Sequence, residues 1–444
     1  MHRRRIDIIG AGISGLATAY YLARHLTRTG RHGEIHVWEK DEHPGGLAGT
    51  FTTQDFTVEK FYHHIFRRDR ALQDLLSDLG LAGELVWRPA ATGAYYVQQP
   101  YKLASPLDIL RFKPLPFVDR FRLGWLALHA RTIRNWQALD DLSAKEYIHN
   151  IAGEKVYQVV WQPLFHGKFG DYAETVSAAW LWSKLVDRGG SRNARGQEVL
   201  GYVRGGLGRL FQTLVAWLRN AGHHVHLGQG VYRLEGSQEH LTSIVTCAGT
   251  FNADVIVGCA QSPDLIDLLP QEAALYRQKL QKITFLANVC LVLTLNHSLS
   301  DFYWTNVTQA DAPFVGVIEQ TNWAAPEEFN RKHVVYLSAY VSPQDQRLEM
   351  DAHQLLTYYL PSIQQLFPQF TREYVEQCAV WQAAYAQPIV HVGYRHSIPE
   401  SVSPFDNFFV CTMAQIYPHD RQLSNGVALA RQTAEIIMQR MFSD

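Results

Sequence analysis

Gly10, Gly12 and Gly15 stand at the spacing G-x-G-x-x-G. These residue types at that spacing can hold a diphosphate. The first glycine permits a tight turn, the second lets a phosphate approach the backbone, and the third lets a helix pack closely on a strand. Ile13 and Ser14 lie in the glycine turn that leads into the helix, so backbone N–H groups and the positive helix end face the same anion. Glu39 follows Gly15 by 24 residues. A carboxylate at that distance accepts hydrogen bonds from both hydroxyls of an adenosine ribose and repels a 2′-phosphate, which disfavours NADP here. Just beyond Glu39-Lys40, the loop Gly45-Gly46-Leu47-Ala48 offers a second stretch of bare backbone to the same diphosphate.

Such chemistry requires a strand before the glycines, a helix after them and a second strand ending at the acid. Residues 5–9 form a short apolar run, 16–26 carry helix formers at apolar spacing, and 34–39 read as a strand entered through Gly30 and Gly33. Further on, 56–66 reads as extended and 70–79 as helical. Prolines at 100, 106, 114 and 116 introduce an aromatic-rich helical stretch that runs to about 187. Gly205-Gly206 precedes a helix with Leu210, Leu214 and Leu218 on one face. Residues 225–234, 242–246, 254–259 and 408–412 read as strands, as does most of 283–341. Helices are expected over 351–366 and 426–441.

The bulk properties bound the class. At roughly 100–200 residues per domain, 444 residues make two or three domains. A net charge of −1 provides no field to recruit nucleic acid. Five Cys, none spaced as CxxC, point to a reducing, cytoplasmic setting with thiols as small core residues, and against electron relay through a cysteine pair. No metal site is expected. The basic start His2-Arg3-Arg4-Arg5 is not read as a signal peptide, because Asp7 interrupts the apolar run and the glycines follow at once. The apolar run 283–295 is too short for a bilayer, which needs ~20 residues.

Residues 10–15, Glu39-Lys40 and Gly45-Gly46-Leu47-Ala48-Gly49-Thr50, taken in order, resemble the flavin amine oxidase superfamily, which includes protoporphyrinogen oxidases and carotenoid desaturases. The resemblance continues through Gly205-Gly206 and 254–260, and ends in Asp420 through Asn425-Gly426-Val427. The stretch Pro163-Leu164-Phe165-His166-Gly167-Lys168-Phe169-Gly170 is similar to that of bacterial proteins called protoporphyrinogen-oxidase-like. The resemblance implies a doubly wound α/β, Rossmann-type FAD-binding domain (1–99, 196–270 and 401–444). Interleaved with it is a mixed α+β substrate domain, made of a helical insert (100–195) and a strand-rich part (271–400). It implies non-covalent FAD, since the surroundings of Cys411 do not match an attachment site. Val231 would meet the adenine through its backbone. Val427, opening the last helix beside Asn425 and Gly426, would offer its N–H to the flavin C2 carbonyl.

The segment 58–66 occupies the place where this family runs a chain beside the flavin ring. Many relatives have a glycine pair there and this chain has none; its His-Ile-Phe also resembles UDP-galactopyranose mutases. In an extended chain His63 and His64 point to opposite faces, so at most one serves as proton donor or polar flavin neighbour. Lys168 reads as a solvated loop lysine in preference to an anchor for an anionic substrate. Tyr385, Tyr394 and Tyr417 are expected in the core before a cavity wall. Gly206-Leu207-Gly208, with no third glycine and no clear preceding strand, gives no second dinucleotide fold. The stretch 106–130 reads as a cap on the substrate cavity, with peripheral membrane contact as the alternative.

The function expected is dehydrogenation of an apolar or cyclic small molecule, a hydride passing to flavin N5 and oxygen or a quinone reoxidising the cofactor. The alternatives are a non-redox flavoenzyme of the UDP-galactopyranose mutase type and a flavin-holding binding protein.

Overall fold

A computed structural model describes residues 3–96, 99–103, 105–194, 196–237, 239–309 and 311–443. At its centre five strands run parallel in the order Phe408–Val410, Val255–Gly258, Arg4–Ile9, Gly33–Trp38 and His224–His226. Ile6, Ile8, Ile35, Val37, Val255 and Val257 are fully buried. Strands covered on both faces need such continuous apolar runs, as a parallel sheet with crossover connections requires. Helices Ile13–Thr29, Gly208–Asn220 and Leu423–Met441 pack on one face. On the other face Trp38, Ile256 and Phe408 meet Leu234 and Ile244 of a three-stranded antiparallel sheet. Gly30 adopts the left-handed conformation that closes the first helix, as expected of glycine at a helix end.

A seven-stranded sheet supports the second half of the molecule, in the order Val375–Pro388, Phe285–Leu295, His333–Val341, Gly316–Glu319, Trp304–Val307, Thr92–Tyr96 and Gln99–Lys102. Helix Ala352–Leu366 covers one part of it. A helical layer between residues 106 and 189 packs against Phe285, Leu286, Ile389 and Tyr394. The α/β fold with an interleaved mixed domain is thus the architecture observed.

Three local expectations need correction. The strand expected over 56–66 is only Thr57–Glu59, paired with Thr50–Thr52. Beyond it the chain is irregular, held by Lys60 N–H donating to Gly49 O and Ile65 N–H to Gly201 O. A strand does precede Gly205-Gly206, namely Val199–Val203. It pairs antiparallel with Leu85–Pro89, outside the parallel sheet, so it builds no second dinucleotide fold. The last helix begins at Leu423, three residues before Gly426.

Candidate active site

Two glycine segments make a wall of bare backbone. Gly10 N–H donates to Trp38 O at 2.7 Å, which turns the chain from the first strand into the first helix. A Cβ on Gly15 would lie 1.9 Å from Gly10 O, so only glycine permits this approach of helix to strand. Gly45, at φ +121°, donates its N–H to Ala11 O at 2.9 Å and lies against Gly12. Gly46 to Ala48 then form a single tight turn, with Leu47 half-buried and Ala48 buried. Nothing lies within 4 Å of a Cβ built on Gly12.

The first helix starts at Ile13 with no side-chain cap and no acid in its first turn. The last helix, after Gln422, also starts uncapped. The two starts are adjacent: a Cβ on Gly426 would be 3.2 Å from Ile13 and 3.6 Å from Ser14 Oγ. Two uncapped helix ends beside open glycine backbone suit a diphosphate, because their N–H groups have no internal partners.

Glu39 closes the other end of this groove. It is 7 % exposed and accepts from Ala11 N–H at 2.7 Å and Asp41 N–H at 3.0 Å. Burial raises its pKa despite these donors. A carboxylate has about four acceptor positions, so two remain for a ribose. Gln229 N–H donates to Glu39 O at 2.7 Å, and a Cβ on Gly230 would lie 3.1 Å from Lys40 Cβ, so the chain leading into Val231 passes beside the acid. Lys40 itself is exposed. These residues fit FAD. Glu39→Ala is expected to weaken FAD binding ten- to roughly hundred-fold, since a charge-assisted acceptor contributes about 1.5–3 kcal/mol. Flavin titration of the apoprotein checks this, and unchanged affinity would remove Glu39 from the site.

Val427 is fully buried as the fifth residue of its helix, so its N–H belongs to the i→i−4 ladder. The residues with free helix-start positions are Leu423 and Ser424. Asn425 Nδ2 donates to Asp420 O at 2.9 Å and fixes the loop before the helix.

Because no strand continues past Glu59, the alternation that would separate His63 from His64 is absent. Both border one small cavity of about 40 Å³, together with Glu59, Gly205, Gly206 and Gln320. His63 Nδ1 lies 2.7 Å from Phe61 O, which places the proton on Nδ1 and leaves Nε2 as an acceptor. His64 Nδ1 lies 3.1 Å from the Tyr303 hydroxyl. Burial pushes His63 down to about 4 and His64 to about 3. Both imidazoles are therefore neutral near pH 7, and the burial that disfavours their charged form makes them weak bases that serve as hydrogen-bond partners. Glu59, which the residue pattern did not single out, accepts from Leu207 N–H at 2.8 Å; burial raises its pKa.

Lys168 is not a loop residue. It lies in helix Gln162–Phe169, with Nζ 3.9 Å from Asp420 Oδ1 and 4.8 Å from the Trp180 ring centre. Lys184, one turn beyond Trp180 on helix Ala178–Gly189, hydrogen-bonds Asp420 Oδ2. Arg421 donates to Ala386 O and, at 2.8 Å, to Gln387 Oε1, both neutral acceptors. Asp420 Oδ1 and Arg421 Nε are buried with no hydrogen-bond partner among the described residues. Burial alone would raise the Asp420 carboxyl, but Lys168, Lys184 and Arg421 hold it well below the usual range. Burial lowers both lysines to about 8. The histidine segment lies within electrostatic reach of this cluster: besides burial, Arg421 lowers His63, and Arg188 and Lys184 lower His64 while Asp420 opposes them.

The three tyrosines are structural. Tyr394 is fully buried and donates to Ala414 O at 2.8 Å, Tyr417 bridges Ser177 and Asp140, and Tyr385 packs edge-on to Phe285. All five cysteines are free thiols. The ends of adjacent strands nevertheless bring Cys259 and Cys411 into contact behind the glycine turn, which their sequence spacing does not reveal. At the sheet edge Glu34, His36 and His224 bring ligand-type atoms within 4.8 Å of one another, with Glu34 Oε1 3.4 Å from His36 Nε2 and 2.8 Å from His224 Nε2.

The sequence profile of the flavin containing amine oxidoreductases matches residues 13–420. The chain belongs to that family. It is accordingly an FAD-dependent oxidoreductase. It is 24 % identical over 320 residues to coproporphyrinogen III oxidase of Bacillus subtilis (strain 168), a match covering 65 % of this chain and 66 % of that protein. A shorter match, 25 % identical over 187 residues, covers 39 % of this chain and 38 % of the Staphylococcus aureus (strain NCTC 8325 / PS 47) coproporphyrinogen III oxidase. The chain thus spans just under two thirds of the length of the first relative and well under half of the second. Among solved structures, a protein of Exiguobacterium sp. 255-15, provisionally named a protoporphyrinogen oxidase, superposes with TM-score 0.78 at 17 % identity over 99 % of both chains. A reduced UDP-galactopyranose mutase superposes with TM-score 0.73 at 15 % identity, over 98 % of this chain and 96 % of the other. These likenesses are of fold.

Proposed function

We propose that this amine oxidoreductase family member is a dehydrogenase that holds FAD non-covalently and oxidises a cyclic, largely apolar substrate carrying carboxylates, of the porphyrinogen type. The observation that carries this reading is the cluster at Asp420: three cations, Lys168, Lys184 and Arg421, surround one carboxylate. Three half-buried cations at one carboxylate leave an excess of positive charge, and an incoming carboxylate pair offsets it. The site is reachable, since Lys168 and Lys184 keep 21 % and 27 % of their side-chain surface open. Tyr340, half-buried beside Lys168, offers an aromatic face to a large ring, while Phe169 and Trp180 pack behind the lysine in the core. The names of the coproporphyrinogen III oxidases agree with a polycarboxylate substrate.

FAD, when bound, supplies the two-electron acceptor, taking a hydride from a substrate C–H at N5, with oxygen or a quinone as the final oxidant. The chain's own part is to bind and orient. The lysines and Arg421 fix the carboxylates, Tyr340 shields the site from water, and the neutral His63 Nε2 accepts a hydrogen bond from a substrate N–H, whose proton leaves to solvent.

Anaerobic mixing of the flavin-loaded protein with coproporphyrinogen III tests the reading: the flavin absorbance should bleach, and more slowly with a substrate lacking carboxylates. Ring contraction of UDP-galactopyranose without net turnover of reductant would replace it with the mutase reading; a flavin that no donor reduces would replace it with the binding-protein reading. The pH dependence has a defined sign. Both lysines titrate near 8, so kcat/KM for the carboxylated substrate should fall as pH rises through that value, while the flavin content stays constant.

A further inference from the structure

Twelve large apolar side chains are exposed among the described residues, and seven of them fall between residues 107 and 128. Helix Phe117–Ala130 turns Leu123, Leu126 and Ala130 inward. Its opposite stripe carries Phe117, Phe121, Trp125 and Leu128, at 65, 54, 55 and 55 % exposure, with Val118 alongside. Their spacing of four, four and three residues is one face of a helix. Leu107 and Leu110 extend the patch onto helix Pro106–Arg111. Contiguous apolar surface of this kind is unusual on a free monomer.

The patch is held in place. Ser105 and Asp108 form a capping box at the start of the shorter helix. Arg120 clamps the two helices by donating to Leu110 O and Leu115 O, each at 2.8 Å. Trp182 Nε1 donates to Ala130 O at 2.8 Å and ties the longer helix to the one bearing Trp180 and Lys184.

Charge distinguishes the occupants. Residues 101–134 contain seven Lys and Arg against two Asp, a net +5 in a chain of net −1. Arg111, Lys113 and Arg134 are exposed around the apolar stripe. An isologous dimer through this face would set the basic segment against itself. A cavity cap would turn the stripe toward the cation cluster, whereas the buried stripe faces that way. No helix among the described residues is long and apolar enough to cross a membrane. We propose that helices Pro106–Arg111 and Phe117–Ala130 are a docking surface for the headgroup layer of an anionic lipid bilayer. The longer helix lies in the plane, its aromatic stripe sits in the acyl boundary, and the basic side chains meet lipid phosphates. The bilayer is then one helix away from Lys184, on the outer side of the layer that carries the substrate site.

Vesicle co-sedimentation of the flavin-loaded protein tests this. Binding is expected to vesicles of phosphatidylglycerol mixed with phosphatidylcholine, and about tenfold or more weaker binding to phosphatidylcholine alone. The triple variant Phe117→Ser, Phe121→Ser, Trp125→Ser should lose binding while keeping its flavin content and melting temperature, because these side chains face water. Arg111→Glu with Lys113→Glu should weaken binding to the anionic vesicles. Wild-type protein that stays in the supernatant with anionic vesicles would overturn the proposal, as would a triple variant that binds like the wild type. A wild-type dimer that the triple variant dissociates, without vesicle binding, would assign the face to a second copy instead.

Discussion

Gly12→Val is expected to yield a folded, colourless protein. Gly12 is extended, at φ −73° and ψ −176°, a conformation valine adopts readily. Nothing lies within 4 Å of the Cβ it would gain, so the chain itself has no reason to object. The cost falls on the ligand, because the new methyl groups fill the space that open backbone leaves for a diphosphate between Gly12 and Gly45-Gly46. Absorbance near the flavin bands should vanish, and the far-ultraviolet dichroism and melting temperature should match those of wild-type apoprotein. Gly15→Ala makes the contrast. There a Cβ would sit 1.9 Å from Gly10 O, so the first helix must shift from the first strand and the apoprotein itself loses stability. A yellow Gly12→Val protein with normal flavin content would refute the placement of the diphosphate.

That contrast shows which parts of the site the residue types disclose. The diphosphate cradle depends on local backbone: glycines at fixed offsets, a strand before, a helix after, and Glu39 at the next strand's end. All of it lies within 49 residues of the N-terminus, and short-range rules suffice. The same rules predicted the buried run that became Phe285–Leu295 and the helix that became Ala352–Leu366, where apolar periodicity and an Asp cap speak directly.

Other features were hidden for identifiable reasons. The last helix is preceded by Gln422, which makes no capping hydrogen bond, so no Ser, Thr, Asp or Asn at that position marks its start, and a start read at Gly426 falls three residues too late. Alternation along 58–66 fails because pairing stops at Glu59, and the face of His63 or His64 is then set by contacts with Phe61 and Tyr303 instead of by a pleat. Val199–Val203 shows no partner nearby in sequence; it pairs with Leu85–Pro89. Cys259 and Cys411 meet only because two strands remote in sequence are neighbours in the sheet.

The charge cluster is the largest such omission and carries the second strong prediction. Lys184 and Asp420 are separated by 236 residues, and nothing local distinguishes Lys168 from a surface lysine. Only the folded helical layer places both ammonium groups at one carboxylate, beside an Arg421 whose partners are uncharged. Replacing both lysines in Lys168→Met/Lys184→Met removes two charge-assisted contacts to a substrate carboxylate, worth about 1.5–3 kcal/mol each. The value of kcat/KM for a carboxylated porphyrinogen should fall roughly 100-fold or more. The fall should appear mainly in KM, because the lysines hold the substrate in ground and transition states alike. Flavin affinity should be unaffected, since neither lysine touches the glycine wall or Glu39. A second effect separates charge from packing: the alkaline fall in kcat/KM near pH 8 should disappear along with the lysines, whereas a purely structural role would leave that limb in place. Normal kinetics with an unchanged pH profile would take the substrate carboxylates away from Asp420 and leave the cluster as an internal ion network.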